Sequence, residues 1–530
     1  MRILLLSHAF NGLTQRLFAL LAEAGHEVSL ELDIGDAVTE EAVALFDPDL
    51  VLAPFLKRRI PERVWSRRVC LVVHPGPPGD RGPSSLDWAL LEGAREWGVT
   101  VLQANGDFDA GAVWAWRSFP VPAGATKSAL YRREVTDAAV EAMMEALGRF
   151  EPGRAAPASL PALPAARGRE RPLVKREQRV VDWQADDTAT VLAKARSADG
   201  LPGACATLNG VLCRLFDLHE ARGSATPGVA VARRGPALRV GTRDGSVWVG
   251  HVRRLDRGEA FEALKLPAVL ALEAQVLPEE PAPLQRPPGD WDELRYEEAA
   301  GVGWLEFDFH NGAMSERQCL RLRDALRQVR GAPPRVLVLA GGAQFFGNGI
   351  HLHEIEAAAH REGDSAAEAS LRNIEALDDV VLEILTLDRC LTVAALRGNA
   401  GAGGCFVALA ADLVWSAPGV VLNPHYKNMG NLYGSEYWTY TLPRRVGDAA
   451  ARELMQRRLP TLAAQAAAMG LVDDCFGSDA ASFEIQVRQR AAALAAAPTG
   501  PTASPPRPPA APPTKRRSRW PRTAPPRSNV

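Results

Sequence analysis

Short apolar runs alternate with amphipathic stretches through the first 150 positions: RILLLS, a helix near Leu13–Ala24, VSLEL, a helix near Thr39–Phe46, LVLAP and VCLVVHPG. That alternation predicts a parallel sheet joined by right-handed crossovers. Residues 174–276 have a different rhythm. There VVDW, ACATLNGVLCRLFDL, VAVARR and ALRVGTRDGSVWVGHVRRL are strand-length runs broken by Asn-Gly and Asp-Gly, dipeptides that favour tight hairpins. A small, OB-like β-barrel is expected. Residues 290–495 return to α/β alternation, with strands at VGWLEFDF, RVLVLAG, LTVAALRG and ADLVWSA. The fold class expected is a multidomain α/β chain, with no short-period internal repeat.

Proline sets the divisions. Two Pro-rich stretches, Pro152–Pro172 and Pro278–Pro288, lack backbone donors and disfavour helix, so 151–173 and 277–289 read as linkers between domains at 1–150, 174–276 and 290–495. Residues 496–530 read as a disordered tail. Its last thirty residues, 501–530, hold ten prolines and seven basic side chains with no acidic one.

Composition narrows the function classes. A 530-residue chain with 47% hydrophobic and 23% charged residues is ordinary for a globular protein of three or four domains. The net charge of −2 becomes −9 in residues 1–500, with 54 basic against 63 acidic side chains, and argues against a nucleic-acid partner. Seven scattered cysteines without a C-x-x-C pair read as reduced thiols. The apolar run at the start is too short for a signal peptide, and no run approaches the roughly 18 residues needed to span a bilayer. A cytoplasmic protein without a membrane partner is expected.

The first candidate chemistry lies where CLVVHPG delivers His74 to the carboxyl end of a strand, the place where parallel sheets form ligand crevices. The following loop, PGPPGDRGPSSLDWA, can bring backbone donors to a ligand; Arg81 and Gly82 in it, with Gln103 beyond, are candidate substrate-binding residues. Asp109 and Gly111 occupy a turn in VTVLQANGDFDAGAVWA. An aspartate beside a histidine fixes its tautomer and stabilises its cation, as acyl-transfer chemistry requires. On the residues alone, a structural histidine and an ordinary Asp-x-Gly turn are the commoner readings. No G-x-G-x-x-G follows the first strand, so a dinucleotide has no support.

The order H-P-G … D-R-G-P-S-S-L-D-W-A … V-L-Q-A-N-G-D-F-D-A-G-A-V resembles the folate-dependent formyltransferases, and VKREQRVVDW with GLPGACATLNG resembles their carboxyl-terminal domain. The resemblance implies 10-formyltetrahydrofolate as formyl donor, with His74 and Asp109 catalytic. In that family an asparagine stands two residues before the histidine; here the position is Val72. A missing oxyanion donor costs roughly 2.7–4 kcal/mol, so backbone N–H groups or another side chain must replace it.

The second candidate chemistry is a pair of strand, glycine turn and helix units, RVLVLAGGAQFFGNGIHLHEIEAAA and LTVAALRGNAGAGGCFVALAADLVW. Placed side by side, two such turns aim free N–H groups at one carbonyl oxygen. A nucleotide phosphate loop lacks its G-K-[ST] ending here, while close strand–helix packing stands as the other reading. The two units resemble the crotonase (enoyl-CoA hydratase/isomerase) superfamily across about residues 295–495. That resemblance implies an acyl-CoA thioester held by the N–H groups of Ile350 and Gly403, with Phe346 and Gly349 at the substrate. The two glutamates of hydratases are replaced by Phe406 and Tyr426, so water addition is not expected. In NPHYKNMGNLYGSEYWTY, Tyr426 and Glu436 are the candidate proton-transfer residues, against a plain core reading of this aromatic stretch. His351, His353 and His360 do not share a helical face, and no metal site is expected from them.

The fused modules, with GDRGPSSLDWA and LYGSEYWTYTLPRRVG, resemble a family of hydrogenase maturation proteins. The resemblance implies formyl transfer from 10-formyltetrahydrofolate to coenzyme A and decarbonylation of formyl-CoA, the carbon monoxide going to the iron of a [NiFe] hydrogenase. It implies small-molecule substrates, hydrogenase maturation proteins as partners, and a route joining the two sites. Two rivals stand beside it: a formyltransferase with an inactive crotonase module, and a non-catalytic folate- and CoA-binding scaffold.

Overall fold

A computed structural model describes residues 1–150, 163, 167–286, 289–426 and 434–497. Most of the first expected linker, part of the second, the tail from 498 onward and residues 427–433 of the aromatic stretch lie outside the described residues.

In the first module six strands are ordered Glu27–Leu32, Arg2–Ser7, Leu50–Phe55, Cys70–His74, Glu96–Gln103 and Val113–Pro120. The first four pair in parallel, whereas Glu96–Gln103 is antiparallel to both its neighbours. Only nine residues separate the last two strands, too few for the crossover that a parallel pair demands. The parallel strands are apolar on both faces. Ile3, Leu5, Leu52 and Leu71 pack under the helices Gly12–Glu23 and Thr136–Phe150, while Leu4, Leu6, Val51 and Cys70 form a second cluster behind.

The second module is the expected β unit, ordered Ala204–Leu208, Val211–Ala221, Ser246–Arg254, Ala237–Gly241 and Ala230–Arg234, with every pair antiparallel. Its two end strands are not paired to each other among the described residues. Asn209 and Gly210 form the predicted two-residue turn at φ 50° and 77°, with Leu208 opposite Val211.

In the third module a sheet ordered Leu294–Ala299, Val302–Phe307, Val336–Gly341, Leu391–Leu396, Leu413–Ser416 and Asp474–Cys475 is parallel after its first pair. Short strands Phe345–Gly347 and Asn399–Gly401 leave the carboxyl ends of two central strands and pair with each other. This small second sheet sets the two glycine turns side by side.

The modules are stitched by buried polar contacts. Arg179 of the second module reaches Asp87 of the first at 2.5 Å, with Lys127 on the same carboxylate at 3.3 Å. Asn423 donates to Gln15 at 3.0 Å, and Arg132 reaches Gln344 and Asn311, joining the first module to the third. Arg179→Met leaves Asp87 with Lys127 alone; a loss of up to about 3 kcal/mol is expected in chemical denaturation.

Two candidate active sites

His74 ends its strand in the interior, 4% exposed, with a carboxylate on each ring nitrogen. Nε2 is 2.9 Å from Asp80 and Nδ1 is 3.3 Å from Asp109. Burial disfavours the imidazolium, but the hydrogen bonds and charges of Asp109 and Asp80 outweigh it and push the pKa up to about 9. Asp109 adopts a left-handed backbone at φ 50° and accepts from the Gly82 N–H at 3.2 Å. Burial opposes its ionisation, yet His74, the Gly82 N–H and the nearby charge of Arg81 hold its pKa below the usual carboxylate value.

Asp80 has a second anchor. Arg171 donates to its other oxygen at 2.5 Å and reaches Glu92 at 2.9 Å. Arg171 belongs to a strip, 167–172, that runs along the loop: the N–H groups of Gly168, Arg81 and Arg171 donate to Pro78, Arg169 and Arg81. Part of the segment expected to be a linker therefore covers the site. Gly76 is required beside it, because a Cβ there would stand 2.4 Å from Asp80 and 2.5 Å from His74. Gly76→Ala is expected to part His74 from Asp80, lowering the histidine's pKa below about 9 in an NMR titration and costing about 1–3 kcal/mol.

In the third module the glycine turns touch. A Cβ on Gly404 would stand 2.1 Å from the Gly347 backbone, and one on Gly349 would stand 3.2 Å from the Gly403 nitrogen. No described group accepts a hydrogen bond from the N–H of Ile350 or of Gly403. Glu436 closes the site: a Cβ on Gly403 would meet its Oε1 at 2.6 Å. Its other oxygen accepts from the Tyr426 hydroxyl and, at 2.8 Å, from the Ser435 N–H. Tyr426 stacks on Phe406, ring centroids 5.9 Å apart. Burial raises the pKa of both partners; the Glu436 charge raises Tyr426 further, while the Tyr426 hydrogen bond opposes the rise at Glu436. Glu436 and Tyr437 are both left-handed, at φ 32° and 52°, strain that clusters at functional sites. The Glu436 N–H is tethered to Asp378 at 2.7 Å.

Family models match each module: formyl transferase over residues 31–147, formyl transferase C-terminal domain over 173–260, and enoyl-CoA hydratase/isomerase over 297–503. Hydrogenase maturation factor HoxX of Bradyrhizobium diazoefficiens is 52% identical over 495 residues, covering 93% of this chain and 84% of that protein. The chain belongs to the HoxX/HypX family of hydrogenase maturation factors. HypX of Aquifex aeolicus, solved in complex with tetrahydrofolic acid, has the same architecture: TM-score 0.89 at 44% identity, covering 94% of this chain and 86% of that one. A methionyl-tRNA formyltransferase of Citrifermentans bemidjiense matches the first part alone, 26% identical over 43% of this chain and 72% of its own length. Among the described residues, no helix is long and apolar enough to cross a membrane.

In this HoxX/HypX chain the expected residues gather into two sets: His74, Asp109, Arg81 and Gly82 in one, and Ile350, Gly403, Gly349, Tyr426 and Glu436 in the other. Two expected residues, Gln103 and Phe346, lie apart from these sets. Gln103 pairs with Leu71, at the other end of the strand from His74, and its side chain accepts from Trp114 at 3.2 Å. The Phe346 ring is 2% exposed and packs edge-on to Phe307 in the core, so only its backbone borders the glycine turn. Asp80, Arg171 and Asp378 were missed. Asp80 sits inside the quoted D-R-G-P motif, a signal that was present; the partners of Arg171 and Asp378 lie 91 and 58 positions away.

Proposed function

We propose that the protein moves the formyl group of 10-formyltetrahydrofolate onto the thiol of coenzyme A at His74 and Asp109, then decarbonylates formyl-CoA in the third module, releasing carbon monoxide for a [NiFe] hydrogenase iron. A relative named as a hydrogenase maturation factor supports the pathway, and HypX solved with tetrahydrofolic acid supports the folate. The observation that carries the reading is the Tyr426–Glu436 pair set against Gly403, a single proton-transfer pair where hydratases hold two glutamates.

In the first step the CoA sulfur attacks the formyl carbon as its thiol proton leaves, the bond to the folate nitrogen breaks, and that nitrogen takes up the one proton the thiol released. His74, with its raised pKa, is cationic at neutral pH and donates a hydrogen bond to the formyl oxygen as negative charge develops, keeping its proton when the carbonyl re-forms. One of its carboxylates must yield a ring nitrogen. Asp80 gives way at the lower cost, because Arg171 still pairs with it. His74 supplies here the donor that Val72 cannot. Since the active form is the imidazolium, formyl transfer is expected to be constant below about pH 8 and to fall as pH rises through about 9, read from initial rates.

In the second step the N–H groups of Ile350 and Gly403 polarise the thioester carbonyl. Formyl-CoA has no α-carbon, so no enolate forms. Glu436 takes the formyl proton, the carbon–sulfur bond breaks to leave carbon monoxide, and the thiolate is protonated by the Tyr426–Glu436 pair, which returns the proton it accepted. Coenzyme A is regenerated.

The deciding experiment incubates the protein anaerobically with 10-formyltetrahydrofolate, with and without coenzyme A, while deoxyhaemoglobin reports carbon monoxide. Carbon monoxide that depends on coenzyme A is the expected result. Tetrahydrofolate without carbon monoxide would leave a formyltransferase with a silent third module, and neither product would leave a binding scaffold.

A further inference from the structure

Five of the chain's ten histidines converge where the second module faces the third, outside both sets of proposed catalytic side chains. His219 and His251 lie on the neighbouring strands Val211–Ala221 and Ser246–Arg254; His310 is in the turn after Val302–Phe307; His351 and His353 stand at the start of the helix Leu352–Ala358. Asp217 is at the centre. Its Oδ1 is 2.8 Å from His219 Nε2 and 3.7 Å from His310 Nδ1, and its Oδ2 is 3.0 Å from His251 Nδ1. The His251 and His310 rings stack at 4.6 Å, turning nitrogens from two modules toward one carboxylate.

The place is built for that carboxylate. Asp217 is held in a left-handed backbone at φ 59°, and the opposing residue is Gly250, where a Cβ would stand 2.2 Å from the Asp217 side chain. One ligand atom from each of Asp217, His251 and His310 falls within a group spanning no more than 4.8 Å. Around a first-row divalent ion, bonds of about 2.0–2.2 Å place tetrahedral ligand atoms about 3.3 Å apart. His251 Nδ1 and His310 Nδ1 stand 3.0 and 3.7 Å from the two different oxygens of the Asp217 carboxylate, close to that separation, so one ion between the rings can be reached by either oxygen. Two imidazoles and a carboxylate suit zinc or ferrous iron and leave positions open for water.

We propose that Asp217, His251 and His310 bind one first-row divalent cation of the zinc or ferrous class, bridging the second and third modules. The His351, His353, His360 pattern is not this site, since His351 caps its helix by accepting from the Glu354 N–H. Lys265 opposes the ion: its ammonium is 3.2 Å from His310 Nε2. Its removal should strengthen binding.

The test uses the untagged full chain, stripped with chelator and titrated with Zn²⁺ and, for its visible spectrum, Co²⁺. The expected result is one ion per chain, visible bands of a nitrogen- and oxygen-ligated Co²⁺, and a higher melting temperature for the wild type. Asp217→Asn and His310→Ala should each weaken binding by at least about tenfold, Lys265→Met should tighten it, and His360→Ala should leave it unchanged. The melting shift needs no variant, so a misfolded substitution does not blunt the test. A folded wild-type chain that takes no ion at about 1 mM, or binds one equally well as Asp217→Asn, overturns the proposal and leaves a hydrogen-bonded clamp.

Discussion

Tyr426→Phe stops carbon monoxide release and leaves tetrahydrofolate formation at the wild-type rate. The expected loss in the gas-forming step is about 10²- to 10⁴-fold, the range for removing a positioned proton-transfer group. The reason lies in the partner. Glu436 is buried beside Gly403, and of the contacts that favour its ionised form the Tyr426 hydroxyl is the strongest. Without that hydroxyl the carboxyl pKa rises further, so less of Glu436 is ionised to take the formyl proton, and the pair that returns it to the thiolate is broken. Phenylalanine keeps the ring stacked on Phe406, so an unaltered circular dichroism spectrum is expected. Formyl-CoA should accumulate, detected by mass spectrometry of the quenched reaction; unchanged carbon monoxide output would remove Tyr426 from the mechanism.

Asp109→Asn should do the converse. The substitution removes a charge that holds His74 in its cationic form. Asp80 alone is then left to oppose burial, and the histidine's pKa falls from about 9. At pH 7.5 less of the histidine is imidazolium and its ring loses the carboxylate that orients it, and formyl transfer is expected to drop by about 10²- to 10⁴-fold. Carbon monoxide release from added formyl-CoA should be untouched. That pair of outcomes, set beside Tyr426→Phe, assigns the half-reactions to separate modules; a loss of both activities in either variant would place the two reactions at one site.

The elements were legible where local chemistry decides them. Asn209-Gly210 needs a left-handed backbone at both positions and forms the turn its sequence predicts. The strand ends at His74 and the two glycine turns were visible because apolar runs and glycine spacing are local signals. The antiparallel edge of the first sheet was less so, since short strands read alike in either direction. Gln103 and Phe346 show what long-range packing adds. Both lie in motif-bearing segments, but strand register places Gln103 beside Leu71, and core packing against Phe307 claims the Phe346 ring. Asp80 gains its role from Arg171, 91 positions on and in a stretch whose proline content marks it as a linker. Composition describes how such a segment behaves when free. It carries no record of the loop that captures it.

The strip at 167–172 separates the unit that packs from the unit that reacts. A fragment ending at Phe150 keeps the whole six-stranded sheet and the residues of its core. It loses Arg171, and Asp80 is then held by His74 alone. Such a fragment is expected to be a competent structure with a misassembled reaction centre, so dissecting this chain by its hydrophobic cores cuts through the catalyst.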